Sequence, residues 1–330
     1  MDNLAHSLVG IHLSRIRPFR GVPDRAAMWT CIAASNLPDV DLLLRLRGDT
    51  ELLFGHGGVT HSLLGLLVLA PAVALAAALL TRLPLREVLP GLVAVAFAGL
   101  AGHLALDALT GIGVQLFAPF APARISLPWL YHADPWVLAA LVVPLLWARW
   151  KKGHGVPARV LSQASAFTLL AVAIYVGACG LAREKARYAA VAQLPDELGS
   201  PREVLAFPAP FGPLIWTTLI RTDQEVWVRG FASVLTGGVT PGGTFETGRE
   251  DPRVQVALAT PLGARFGALA AAPYRAMAQG PAEDGSMEVA IADLGRSNPF
   301  SDRLPMALWI RLGPHFDVEG YEVRTALLPP

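Results

Sequence analysis

Ser62 to Leu80 reads SLLGLLVLAPAVALAAALL, a run without a single charge. Crossing a bilayer as a helix takes about 20 mostly apolar residues, because every backbone polar group must be satisfied inside the segment. The run is long enough, and it is not alone. Val88 to Leu106 is apolar except for His103, and Val160 to Ala182 contains neither charge nor histidine. Pro135 to Ala148 is shorter and reaches spanning length only by recruiting Trp129 to Tyr131 upstream and Trp150 downstream, aromatic residues of the kind that flank spans. The expected fold is therefore an α-helical integral membrane domain of about four spans.

Composition agrees. Of 330 residues, 53% are hydrophobic and 16% charged, against about 25% charged in soluble proteins. A formal net charge of +1 gives no reason to expect a nucleic-acid surface. Cys31 and Cys179 lie far apart in apolar segments and read as small core residues. The first ten residues, MDNLAHSLVG, lack a basic region followed by a long apolar one, so membrane insertion is expected to use the internal segments.

Outward from the spans, the character changes on both sides. Residues 1–61 mix polar and apolar positions, with Leu4, Leu8, Ile11 and Arg15 spaced as on a helix. This predicts two amphipathic helices, over about 2–17 and 24–36, at the interface or partly inserted. Arg183, Glu184, Lys185 and Arg187 mark the exit from the membrane. Beyond them come alternating runs: Val254, Val256, Leu258; Met287, Val289, Ile291; Met306, Leu308, Ile310, Leu312. Alternation bounded by Gly/Pro-rich turns predicts strands. The chain divides into a helical membrane domain, 1–182, and a mostly β extramembrane domain, 183–330. Arg82, Arg86, Arg149, Lys151, Lys152 and Arg159 assign the loops 81–87 and 149–159 to the cytoplasm. Residues 1–61, the loop 107–135 and the β domain then share the periplasmic face, although Arg15, Arg17, Arg20, Arg25, Arg45 and Arg47 count the other way.

Five of the eight histidines fall at or before the end of the second span, all but His12 in acidic or histidine company. His103 and Asp107 stand four apart, so both project from one helix face toward a shared ion. His61 opens the first span and Asp107 closes the second; antiparallel spans bring them to one membrane face. Asp39 and Asp41 follow Pro38, and in an extended stretch alternate residues point opposite ways. Asp39 is then the ligand, with Asp41 behind it or serving as a second ligand. His6 shares a helix face with Asp2 and Asn3. His56 opens the run HGGVTHS; Gly57 and Gly58 allow close backbone approach to an ion or phosphate, and Thr60 and Ser62 offer hydroxyls. His132 and Asp134 follow the second span on the same face. His12, His154 and His315 lack such company and read as structural. Mixed His/Asp ligation suits a divalent zinc, manganese or iron ion rather than calcium, and more than four candidates suggest two or more ions. Neither a nucleophile motif nor a nucleotide fingerprint is present.

Four ordered motifs, MDNLAHSLVG, NLPDVD, HGGVTHSLL and HLALDALTGIG, resemble the LexA-regulated, membrane-bound, metal-dependent hydrolases of YdjM type over about residues 1–135. The resemblance implies His6, Asp39, His56, His61, His103 and Asp107 as metal residues, with Asp41 close by. Ala5 stands where the family has threonine, and Gly57 where it has an arginine. The order of ligands is also distantly similar to zinc-dependent phospholipase C, which implies phosphoester chemistry on a phospholipid or lipid-linked substrate, with Asp41 or Asp134 as general base. A non-catalytic protein with a structural ion is the alternative.

Overall fold

The computed structural model describes residues 1–16, 21–121, 123–152, 157–210, 212–248, 251–277, 285–297 and 303–327. Arg17, Arg20 and His154 lie outside them. Residue contacts divide the chain into two units: Met1–Leu42 with Gly57–Gly180, and Leu43–His56 with Leu181–Pro330.

The first unit is helical. Helix α1 (Asn3–Arg15) is capped by Asp2, whose Oδ1 accepts the Ala5 N–H at 2.9 Å. Helix α2 (Asp24–Asn36) runs directly into a 3-10 segment, Leu37–Arg47. A second 3-10 turn, Val59–His61, leads into α4 (Leu63–Thr81), which Ser62 caps through the Gly65 N–H at 3.0 Å. Helix α5 (Leu85–Ala108) returns beside α4, and α6 (Pro135–Lys152) and α7 (Ala158–Ala192) follow. Small residues let these helices close in: Ala34, Ala70 and Ala96 meet Leu66, Leu100 and Leu104 between α2, α4 and α5. Leu8, Val9, Val137, Leu141 and Val172 join α1, α6 and α7.

Among the described residues three helices, α4, α5 and α7, are long and apolar enough to cross a membrane. They turn large apolar side chains outward, among them Leu67, Leu79 and Leu80 on α4 and Phe167, Leu170 and Ile174 on α7. Lipid accepts such faces where water penalises them. The third expected span, α6, ends in Arg149, Lys151 and Lys152 and does not meet that standard. Helix α7 does not stop at the charged residues after Ala182; it continues to Ala192, beyond the length a bilayer needs.

Among the described residues the second unit holds two four-stranded antiparallel sheets, each in sequence order. The first comprises β1 (Pro201–Ala209), β2 (Gly212–Thr222), β3 (Val226–Ser233) and β4 (Val239–Glu246). The second comprises β5 (Pro273–Met277), β6 (Met287–Asp293), β7 (Arg303–Leu312) and β8 (Val318–Leu327). Phe207, Leu219, Trp227, Tyr274 and Leu304 form one core, drawn from both sheets. The alternating runs at Met287–Ile291 and Met306–Leu312 are strands, as expected. Val254, Val256 and Leu258 are not. They lie in α8 (Pro252–Ala259), which Asp251 caps through the Arg253 N–H and Pro252 opens. Val254 and Ala257, three apart, are its buried face. Helix α9 (Pro261–Leu269) follows, capped by Thr260. The short α3 (Asp49–Gly55) belongs to this unit: Leu53 and Phe54 are buried among Val254, Phe266, Leu308 and Ile310.

Candidate metal centre

Close helix packing builds the site. A Cβ on Gly99 of α5 would stand 2.7 Å from the Cys31 carbonyl of α2, and one on Gly10 of α1 would stand 2.7 Å from Ser35 Oγ. The Gly99 approach meets backbone and excludes any side chain, and a Cβ at Gly10 would displace the Ser35 hydroxyl and crowd Cys31 O at 3.2 Å, so α1 and α5 both press on the same turn of α2. His6 lies four residues before Gly10 and His103 four residues after Gly99, one turn away on the same faces. The two imidazoles therefore meet: their ring centroids are 3.9 Å apart and the planes differ by 27°. Asn36 ties α2 to α1 through its Nδ2 donation to Ser7 Oγ at 3.0 Å.

His103 lies 2.8 Å through Nδ1 from the Ser35 carbonyl. A carbonyl only accepts, so Nδ1 carries the proton and Nε2 presents a lone pair. That atom lies 3.2 Å from Asp107 Oδ2 and 3.8 Å from Asp39 Oδ1. His61 Nε2 lies 3.4 Å from each of Asp39 Oδ1 and Asp107 Oδ2. His6 Nε2 is 3.2 Å from Asp107 Oδ1, which also meets the Met1 amino group. Asp39, His61, His103 and Asp107, all buried, each bring one ligating atom within 4.8 Å of the others.

On its other side His61 presents Nδ1 to Asp41 Oδ2 at 3.2 Å and to Thr60 Oγ1 at 3.0 Å. Asp41 Oδ2 also accepts the Gly57 N–H at 3.1 Å and the Thr60 hydroxyl at 2.9 Å. The two carboxylates thus flank one imidazole. The expected extended stretch after Pro38 is instead 3-10 helix, which turns about 120° per residue. Residues two apart are then neither opposed nor aligned, and both are buried.

The residues fit a metal ion. Both nitrogens of His6, His103 Nε2 and Asp39 Oδ2 are buried without a hydrogen bond. Buried polar atoms left so are costly, and a shared cation satisfies them together. Burial opposes charge on His61, but Asp107, Asp39 and Asp41 outweigh it and push its pKa up to about 10. Burial, with His103 adding repulsion, holds His6 below its ordinary value. Asp39 is lowered: burial acts against its charge, and the contact with His61 more than offsets it. The pocket's carboxylates demand positive charge, which a proton on His61 or a divalent ion can supply.

A family model described as YdjM inner membrane protein matches residues 1–186. The chain belongs to that family. No curated protein and no solved structure matches it. The YdjM match contains all the gathered residues and ends before β1 begins at Pro201.

His56 follows α3 and is half-buried. The other expected residues are placed differently. Asp134 is fully buried, and its Oδ1 accepts the Trp136 and Val137 N–H groups at 3.0 and 3.1 Å while the Tyr175 hydroxyl lies 3.2 Å away. It caps α6. Burial raises its pKa against those donors. His132 is exposed beside Tyr131, with ring centroids 4.1 Å apart. His12 is buried between Leu141 O at 2.9 Å and Ser165 Oγ at 3.1 Å, joining α1, α6 and α7. His315 is exposed. Ser62 is spent on its helix cap. Sequence reasoning missed the Ser35 carbonyl, because a backbone acceptor leaves no residue-type signal.

Proposed function

We propose that the chain is a membrane-bound, metal-dependent hydrolase of phosphoesters, acting on a phospholipid or lipid-linked substrate. The observation that carries this reading is the buried group Asp39, His61, His103 and Asp107, with His6 against it. These residues would hold the ion, zinc being the best match to imidazole and carboxylate donors, with manganese and iron as the other candidates. His56 is kept as a sequence-based candidate for a further ion. Held there, such an ion would supply polarisation of a phosphoryl oxygen and activation of water near neutral pH. The chain supplies the rest. Ser35 fixes the tautomer of His103, and Asp41 holds the Nδ1 proton of His61. Of the two carboxylates expected as general base, Asp134 is engaged by Trp136, Val137 and Tyr175, whereas Asp41 contacts His61 of the cluster, so Asp41 is the one placed to move a proton.

In the same reading α6 is a fourth, shorter crossing, and residues 1–182 form the membrane domain. The loops 81–87 and 149–159 face the cytoplasm by their basic residues. The metal centre and residues 183–330 then stand on the periplasmic side of the inner membrane.

Complete burial of His6 and His61 favours a second reading, in which the ion is structural and non-catalytic. Detergent-purified protein loaded with zinc or manganese, assayed on phospholipids and soluble phosphodiesters, separates the two. Turnover that chelation abolishes and metal restores supports the hydrolase. Stoichiometric metal with no turnover overturns it in favour of the structural ion, for which His103→Ala lowers folded yield.

A further inference from the structure

The segment after α5 carries a cation placed against the metal centre. It leaves α5, folds back through an antiparallel bridge between Val114 and Ile125, and lies along the loop that holds His61. The Gln115 N–H donates to Gly57 O at 3.0 Å, and the Leu63 N–H to Leu116 O at 2.9 Å. From this segment the Arg124 guanidinium reaches back, donating from Nη1 to Gly113 O at 3.3 Å. The same Nη1 stands 2.8 Å from where a Cβ on Gly57 would be. Gly57 has φ +73°, a conformation L side chains avoid. Backbone and guanidinium together keep position 57 bare. The Gly57 N–H bonds Asp41, the carboxylate on His61. Arg124, half-buried, is therefore one glycine away from the residue that orients a cluster imidazole.

The same segment exposes large apolar side chains: Ile112 at 47%, Phe117 at 51%, Phe120 at 84%, Ile125 at 38% and Leu127 at 44%. A guanidinium fork matches the oxygens of a phosphate. Exposed aromatic and aliphatic groups match acyl chains. A phospholipid carries both chemistries, with the phosphate directly above the chains.

We propose that Arg124 binds the phosphate of a lipid substrate and that the surrounding apolar side chains receive its acyl part. This rests on the hydrolase reading for the reaction but not for the binding. The first test is titration of inorganic phosphate into the metal-loaded full chain in detergent. Arg124→Gln should weaken binding about tenfold, with bound metal unchanged, and Arg124→Lys should recover part of it. Equal affinity in wild type and Arg124→Gln overturns the assignment.

The second test compares KM on phosphatidylglycerol in mixed micelles with KM on bis-nitrophenyl phosphate. Arg124→Gln should raise both. Replacing Phe117 and Phe120 together by serine should raise the lipid KM several times more than the soluble one. Equal increases overturn the lipid part and assign the site to a free phosphate ester. Arg124-dependent phosphate binding in a protein that turns over neither substrate upholds the anion site and removes the hydrolase reading.

Discussion

Two buried aspartates, one in each unit, show opposite uses of the same side chain. Asp293, 7% exposed at the end of β6, accepts the Ala272 and Gly295 N–H groups at 2.9 Å through Oδ1 and the Ala271 N–H at 3.2 Å through Oδ2. Arg296 lies 3.8 Å away. Its charge is dispersed over backbone donors, and it ties a turn to a sheet. Asp107, 6% exposed, is surrounded by His6, His61, His103 and the Met1 amino group. Among the described residues no backbone N–H donates to its carboxylate. Three imidazoles facing one carboxylate make a poor hydrogen-bond network and a good ligand set, since the buried lone pairs point at a common centre. The difference teaches that burial alone does not mark function; the identity of the partners does.

Asp107→Ala tests that contrast with the largest effect. It should lose bound metal altogether, read as metal per chain by elemental analysis, while the protein still inserts and folds. Wild-type stoichiometry in this variant would mean that the ion, if any, sits elsewhere. Asp293→Ala should do the reverse. Three donors lose their acceptor, which costs about 3 kcal/mol of stability, and metal content should not change. A drop in metal content would break the comparison, because the effect would then not depend on who the partners are.

Asp41→Asn sharpens the comparison inside the first unit. The amide oxygen still accepts from Gly57 and Thr60, so the loop should keep its shape. The carboxylate that holds the Nδ1 proton of His61 is gone, and such partners are worth about 10- to 100-fold in metal affinity. A competition titration against a chelator reads the change. Unaltered affinity would show that His61 is oriented by Thr60 and backbone alone.

The spans were readable because bilayer physics demands long uncharged runs, and α4, α5 and α7 obey it. Strands β6 and β7 were readable from strict alternation over five or more residues. Val254 to Leu258 alternates over as many residues as Met287 to Ile291, so alternation alone did not separate strand from helix there, and Asp251 with Pro252 decides for the helix. Of the site, His103 and Asp107 were readable because four residues along a helix return to one face. His61 followed from the antiparallel course of α4 and α5. The rest depends on contacts between helices remote in sequence. The Ser35 carbonyl and the pressure of Gly10 and Gly99 on α2 leave no spacing signal, and neither does Arg124 folding back over Gly57. The 3-10 course of Leu37–Arg47 was hidden by Pro38, which reads as a helix stop but serves here inside a tighter helix.

Asp134 is the case on which the two uses of aspartate collide, and its expected effect is the smallest. It lies in the helical unit with the metal centre, yet like Asp293 it is held by backbone donors: two N–H groups, joined here by the Tyr175 hydroxyl. If partners decide the role, Asp134→Ala costs one helix cap, about 1 kcal/mol, visible as a modest fall in thermal midpoint. Metal content and chelator competition should match wild type. Asp134→Asn should recover most of the stability, because an asparagine oxygen caps nearly as well. If Asp134→Asn instead abolished turnover while leaving stability and metal intact, the carboxylate would be working as a base despite its backbone donors. Partner identity would then be insufficient to separate structural from functional acids in this protein.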